Sequence, residues 1–115
     1  MNLPFAKVRE SGSLVWLSGE IGFEEDGSLV PDITHQTDRI LQRVQATLAS
    51  EGCTLADVIS CTVYLTDAAQ FAPFNEAYAK WFSAPLPVRT TVLAGLVLPD
   101  ALLEITVVAQ KPAAE

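Results

Sequence analysis

The sequence predicts an α+β fold in which a mixed β-sheet carries two helices packed on one face. Three observations lead there. Apolar and β-branched runs of strand length open and close the chain. Between them, two stretches switch to a three-and-four apolar period. The elements then follow in the order β-β-(β)-α-β-α-β-β. At 115 residues, half of them hydrophobic and 18% charged, the chain makes one domain over 1-115 with enough apolar residues to fill a core.

Each element has its own signal in the sequence. Phe5 to Ser11 reads as a strand that turns at Ser11-Gly12-Ser13. Leu14-Val15-Trp16-Leu17-Ser18 is a continuous apolar strand, and Gly19 lets its backbone bend or approach another group closely. Ile21-Gly22-Phe23 forms a third short extended piece before a turn at Glu25-Asp26-Gly27-Ser28. Ile33, Thr37, Ile40, Leu41, Val44, Thr47 and Leu48 line one helical face, with Asp32 as N-cap and Gly52 at C′. The opposite face, with Gln36, Arg39, Gln42 and Arg43, reads as solvated surface.

After a short turn over Thr54-Leu55-Ala56-Asp57, Val58 to Leu65 is a β-branched strand buried on at least one face. Asp67 with Gln70 resembles a capping box around one helical turn. The longer second helix is expected to start at Pro73, where a missing N–H is tolerated. Its apolar stripe is Phe74, Tyr78, Trp81 and Phe82, ending at Ala84-Pro85. Arg89 to Leu93 and Leu102 to Ala109 complete the sheet. With both helices on one face, the other face stays apolar and calls for cover, so a homo-oligomer is expected.

Composition narrows the function. A formal charge of −7, with no cluster of Lys and Arg, argues against nucleic acid, whose binding relies on displaced counterions. One well-placed arginine can still hold a small anion. No apolar run approaches the roughly twenty residues of a membrane span, so no membrane partner is expected. The N-terminus lacks the layout of a secretory signal, and a cytoplasmic location is expected. Cys53 and Cys61 have no CxxC spacing and no histidine partner, which reads as two reduced thiols. His35 is the only histidine and reads as a surface residue, so neither a His-activated nucleophile nor a metal site assembles around it. Gly19-Glu20-Ile21-Gly22 lacks the helix N-terminus that a phosphate loop needs.

The informative stretch is Pro87-Val88-Arg89-Thr90-Thr91-Val92, read together with Glu104. Arg89 sits at the start of a β-branched run and offers a planar fork of donors that matches a carboxylate. Glu104 interrupts the apolar strand Leu102-Leu103-Glu104-Ile105-Thr106-Val107-Val108. A cation and an anion, each set in its own apolar strand, suit a site for a small carboxylic acid. Plainer readings stand beside this one. Arg89 can be a structural ion pair with Glu104 or Asp100, Glu104 an outward-facing strand residue, and Ser18 a hydroxyl satisfied by backbone. All three fall near strand ends and are able to converge.

Leu17-Ser18-Gly19-Glu20-Ile21, Glu51-Gly52-Cys53 and Thr62-Val63-Tyr64-Leu65-Thr66-Asp67 resemble the RidA (YjgF-type) reactive intermediate deaminase family. So do Phe71, Phe74, Asn75, Ala77, Tyr78 and Phe82, with Pro87-Val88-Arg89-Thr90 and Leu103-Glu104-Ile105. The resemblance runs from about Pro4 to Ala109. It implies a chorismate-mutase-like fold and a homotrimer whose sheets form a central barrel, with sites in the clefts between subunits. It implies cofactor-free hydrolysis of enamines and imines such as 2-aminoacrylate to 2-keto acids and ammonium.

By the same resemblance Arg89 matches the arginine that grips the substrate carboxylate, and Glu104 the glutamate that orients water. Ser18 and Gly19 match a substrate contact at a strand end. The backbone of Thr91 matches a position that helps place water and substrate, and Asn75 matches a supporting asparagine. Phe5 stands where many members have tyrosine, Thr91 where many have cysteine, and Glu20 where glutamine is common. These departures leave the carboxylate grip intact and bear on substrate choice. Two other readings are a non-catalytic module that binds small carboxylates such as 2-keto acids, and a ribonuclease.

Overall fold

The computed structural model describes residues 3–113. Five strands form one sheet: β1 (Val8–Ser11), β2 (Leu14–Leu17), β3 (Val58–Leu65), β4 (Val88–Leu93) and β5 (Leu103–Gln110). Their spatial order is β1-β2-β5-β3-β4. β3 and β4 run parallel and every other pair is antiparallel, so the sheet is mixed as expected. A parallel pair needs a crossover connection, and α2 (Phe71–Ala79) supplies it. α1 (Ile33–Ser50) joins the hairpin to β3.

α1 follows its sequence signals. Asp32 has extended backbone, and its carboxylate accepts from the His35 N–H at 2.8 Å. At the far end Gly52 takes φ +75°, and Cys53 N–H donates to Leu48 O while Gly52 N–H donates to Ala49 O. That is a Schellman stop, whose C′ position favours a residue without a Cβ. Ile40, Leu41, Val44 and Leu48 pack on the sheet against Cys61, Val63, Leu65, Leu103, Ile105 and Val107.

Register fixes the two faces of the sheet. Cys61, Val63 and Leu65 pair with Val107, Ile105 and Leu103, all buried under the helices. The alternate residues form rows on the other face: Trp16, Val108, Ser60 and Val88; Thr106, Thr62 and Thr90; Glu104, Tyr64 and Val92. Among the described residues no helix covers these rows. Trp16 is 49% exposed and Val88 71%, so apolar groups do stand open there, but a row of threonines crosses the middle of a face that the sequence reads as apolar.

Several expectations change in detail. The first strand begins at Val8 rather than Phe5. Ile21-Gly22-Phe23 is not a strand; a single bridge, Glu20 with Ile105, is all that pairs there. Gly22 explains this, since a Cβ on it would lie 2.7 Å from the Gln36 carbonyl oxygen, and the chain is pressed onto α1 instead. α2 starts at Phe71, putting Pro73 at its third position. The N–H groups of a first turn have no acceptor within the helix, so proline is tolerated there too. α2 ends at Ala79, and Trp81 and Phe82 reach the core from beyond it.

The polar side of α1 is not simply solvated. Gln36 is fully buried, donating to Val30 O and Asp100 O and accepting from Leu102 N–H. Arg39 pairs with Glu24, and Arg43 with Glu20.

Candidate active site

β4 is an edge strand, and Arg89 and Thr91 sit on the helix side of it, opposite Cys61 and Val63. α2 brings an aromatic shelf to Arg89. The guanidinium carbon lies 4.8 Å from the ring centre of Tyr78, 5.2 Å from Phe74 and 5.9 Å from Phe71. These rings stand at i, i+3 and i+7 on α2, with Asn75 at i+4 on the same side. Arg89 Nη2 donates to Asn75 Oδ1 at 2.7 Å. Among the described residues Arg89 makes no ion pair, so neither Glu104 nor Asp100 is its partner. A guanidinium has five donors in a fixed fork. Here one protein acceptor is met, and π faces attract the cation without neutralising it.

The edge position exposes backbone as well. Ala94 N–H donates to Leu65 O, which fixes the phase of the parallel ladder. By alternation the N–H and C=O groups of Arg89 and Thr91 point away from β3, off the sheet edge. Thr91 therefore offers backbone groups beside the Arg89 fork.

Glu104 belongs to the other face. It pairs across the sheet with Tyr64, three residues along β3 from the Cys61 that faces Arg89. An odd separation reverses the face, so Arg89 and Glu104 do not converge within one chain. The Glu104 carboxyl rests on Gly19, where a Cβ would lie 2.0 Å from its Oε2. Only glycine leaves that seat open. Burial, and then the negative charge of Glu20, push the Glu104 carboxyl above the usual carboxylate range.

Ser18 anchors the leading segment beside this seat. Its Oγ donates to Ala6 O at 2.7 Å and its N–H to Lys7 O at 3.0 Å. The Ser18 hydroxyl proton is thus committed to backbone, which leaves its lone pairs for a ligand. Phe5 stands on this segment, 59% exposed. His35 contacts Glu24 at the surface, and Cys53 and Cys61 are free buried thiols.

The structure therefore brings Phe5, Ser18, Gly19 and Glu104 to one region and Arg89 and Thr91 to another. Sequence reasoning missed the roles of Phe71 and Tyr78 under Arg89, although their spacing with Asn75 carries the signal. It also missed Lys7 and Arg43, which pair with Glu20 through contacts distant in sequence. Among the described residues no group of His, Cys, Asp and Glu is placed to hold a metal ion, and no helix is long and apolar enough to cross a membrane.

Residues 2–111 match the family described as Endoribonuclease L-PSP. A RutC family protein of Saccharolobus solfataricus is 37% identical over 110 residues, which is 94% of this chain and 87% of the relative. The solved structure of E. coli TdcF with bound serine superposes with a TM-score of 0.90 at 30% identity, over 97% of this chain and 91% of TdcF. RidA from an Antarctic Psychrobacter superposes with a TM-score of 0.88 at 27% identity, over 93% of this chain and 88% of that one. With the sheet order, the paired helices and the motifs around Gly19, Arg89 and Glu104 in place, the chain belongs to the Endoribonuclease L-PSP family, the YjgF/RidA proteins.

Proposed function

We propose that this protein hydrolyses small enamines and imines that carry a carboxylate, giving 2-keto acids and ammonium. The observation that carries the reading is Arg89, a half-buried guanidinium with no carboxylate partner of its own among the described residues. Its free donors suit a bidentate grip on a substrate carboxylate. Because Glu104 lies on the opposite face, the complete site takes Arg89 and Thr91 from one subunit and Phe5, Ser18, Gly19 and Glu104 from its neighbour. A homotrimer closed through the open sheet face brings the two halves together, and Trp16 and Val88 are the apolar groups it covers.

The chemistry asks little of the protein. Protonation at carbon turns the enamine into an iminium, whose central carbon is electrophilic. Glu104 takes a proton from water as the oxygen attacks, giving a carbinolamine. The carboxyl returns that proton to the amine nitrogen. The C–N bond then breaks, ammonia leaves, and loss of the hydroxyl proton completes the keto acid. Holding carboxylate and water in place is worth several kcal/mol, on the order of what orientation supplies in other enzymes.

The test is a coupled assay. A pyridoxal-phosphate dehydratase generates 2-aminoacrylate, and semicarbazide trapping reports its decay. Wild type is expected to accelerate the decay and Arg89→Ala to leave it at the spontaneous rate while keeping its oligomeric state. A well-folded wild type that does not accelerate decay overturns the reading.

A small-carboxylate-binding module is the second reading. One finding favours it: TdcF, at 30% identity, was solved with bound serine, which also carries a carboxylate. The same assay separates the two. Ribonuclease activity, suggested by the family description, is opposed by charge, since three copies carry −21 (3 × −7) and repel a polyanion.

A further inference from the structure

Breaking down an enamine takes several proton transfers, the first of them to carbon, and the two half-sites hold few groups able to make them. Arg89 does not titrate in the working range. The Ser18 hydroxyl proton is held by Ala6 O. His35 lies against Glu24 at the surface. Cys61 and Tyr78 are buried on the helix side, and burial pushes the thiol and the phenol up. Glu20 gives its carboxylate to Arg43 of α1 and to Lys7, on the face opposite Glu104. That leaves Glu104. Its carboxyl is partly buried on the bare backbone of Gly19, and it forms no ion pair among the described residues.

We propose that Glu104 is also the acid that protonates the enamine carbon, so that the protein catalyses a face-selective tautomerisation before it hydrolyses the imine. The proposal deepens the deaminase reading and rests on its composite site. The protonated carboxyl donates to the β-carbon while the nitrogen lone pair closes the C=N bond, leaving an iminium and the Glu104 carboxylate. The carboxylate then takes a proton from water as the oxygen attacks the α-carbon, and returns it to nitrogen. When the C–N bond breaks, it takes the hydroxyl proton, which restores the acid. Enamine and water enter, keto acid and ammonia leave, and Glu104 ends as it began. The α- and β-carbons are one bond apart and the two carboxyl oxygens span that distance, so one seat serves both. With the substrate carboxylate fixed on Arg89, a single face of the planar enamine is turned to Glu104. On the open face Leu102 and Thr106 of β5, Tyr64 of β3 and, beyond it, Val92 of β4 surround the carboxyl. A phenol is a far weaker acid than a carboxyl, so Tyr64 does not compete as donor. The cation that faces Glu104 in the composite site is the neighbouring subunit's Arg89, and the bound substrate carboxylate meets its charge. Burial, and then the negative charge of Glu20 from the other face, strengthen the hold of Glu104 on its proton and keep the acid form available.

The test reads the face to which the proton is added. A pyridoxal-phosphate dehydratase acting on threonine releases 2-aminocrotonate in D2O. Lactate dehydrogenase with NADH reduces the resulting 2-ketobutyrate at once, before its C3 hydrogens exchange, and NMR of the 2-hydroxybutyrate reports the configuration of the C3 deuteron. The dehydratase alone sets the reference, an equal mixture made in solvent. Wild type is expected to give one configuration in about tenfold excess, and Glu104→Gln to return the product to the reference. An equal mixture from a wild type that does accelerate enamine loss overturns the proposal and leaves the deaminase reading standing, with tautomerisation in solvent. An excess kept by Glu104→Gln overturns it as well, since the donor then lies elsewhere. If that variant does not fold, the wild-type product decides alone. A folded wild type that accelerates nothing overturns the deaminase reading and this proposal with it.

Discussion

Arg89 and Glu104 are two charged side chains of one sheet, and their surroundings differ in kind. Around Arg89 the neighbours are Asn75, Phe71, Phe74 and Tyr78, all without charge at neutral pH. Glu104 is partly buried and feels the negative charge of Glu20, itself tied to Lys7 and Arg43. The first cradles a guanidinium among uncharged groups. The second holds a carboxyl whose grip on its proton burial strengthens. If the halves meet between subunits, binding strength should live in the first and pH dependence in the second.

The largest expected effect breaks the pairing outright. Arg89→Ala removes the partner of a desolvated carboxylate, which costs about 2–5 kcal/mol, or roughly 30- to 4,000-fold in kcat/KM. Glu104→Gln should be similarly inactive. Co-expressing the two dead variants is the sharper experiment. If the sites are composite in a trimer as proposed, a working site in random mixtures needs Arg89 from one variant and Glu104 from the other, so about a quarter of wild-type activity should return. No recovery would place both groups in the same subunit's site and remove the composite arrangement.

Next comes the seat of Glu104. Gly19→Ala places a methyl 2.0 Å from Glu104 Oε2 and forces the carboxyl aside. Gly19 is exposed, so the fold has little reason to fail. A displacement of this size should lower kcat about 100-fold with the melting temperature nearly unchanged. Comparable loss from both kcat and stability would mean that the glycine serves the sheet rather than the site.

On the Arg89 side a smaller effect is expected. Asn75→Ala deletes one charge-assisted hydrogen bond of 2.7 Å and leaves the aromatic shelf in place. The guanidinium then has more orientations to lose on binding, and kcat/KM should fall about 10-fold, mostly through KM. This change should leave the acid limb of the pH profile where it was. A shifted limb would show that the two halves are electrostatically coupled, against the contrast drawn here.

How far these halves were legible in the sequence follows from how local their signals are. Asp32, Gly52 and the Ile33–Leu48 stripe mark α1 because capping and periodicity are read within a few residues. Pro73 misplaced the start of α2 because proline is tolerated anywhere in a first turn, so it marks that turn without fixing its first residue. Gln36 looked like surface, yet its three hydrogen bonds go to Val30, Asp100 and Leu102, two of them more than sixty positions away. Arg89 and Glu104 stood out as charges within apolar strands. Their placement on opposite faces did not, because it depends on the register of β4 and β5 against β3.

The smallest effect is one of stability, and its sign is opposite to that on activity. Burial and Glu20 raise the Glu104 carboxyl above its unfolded value, so the folded chain binds this proton more tightly than the unfolded chain. The group therefore favours folding at pH below both values. As pH rises through the unfolded and then the folded value, that advantage is lost and the charged carboxylate becomes a net cost. Glu104→Gln removes the cost at neutral pH, and the melting temperature should rise. Because the carboxyl is partly solvated, screening keeps the gain small, at most about 3 °C. The gain should shrink as pH is lowered and disappear once wild-type Glu104 is protonated. An inactive variant that is more stable than wild type only above that range is what a strained working carboxylate produces. A Glu104→Gln variant less stable at every pH would instead make Glu104 a structural partner, and the water-activating role would pass to some other group.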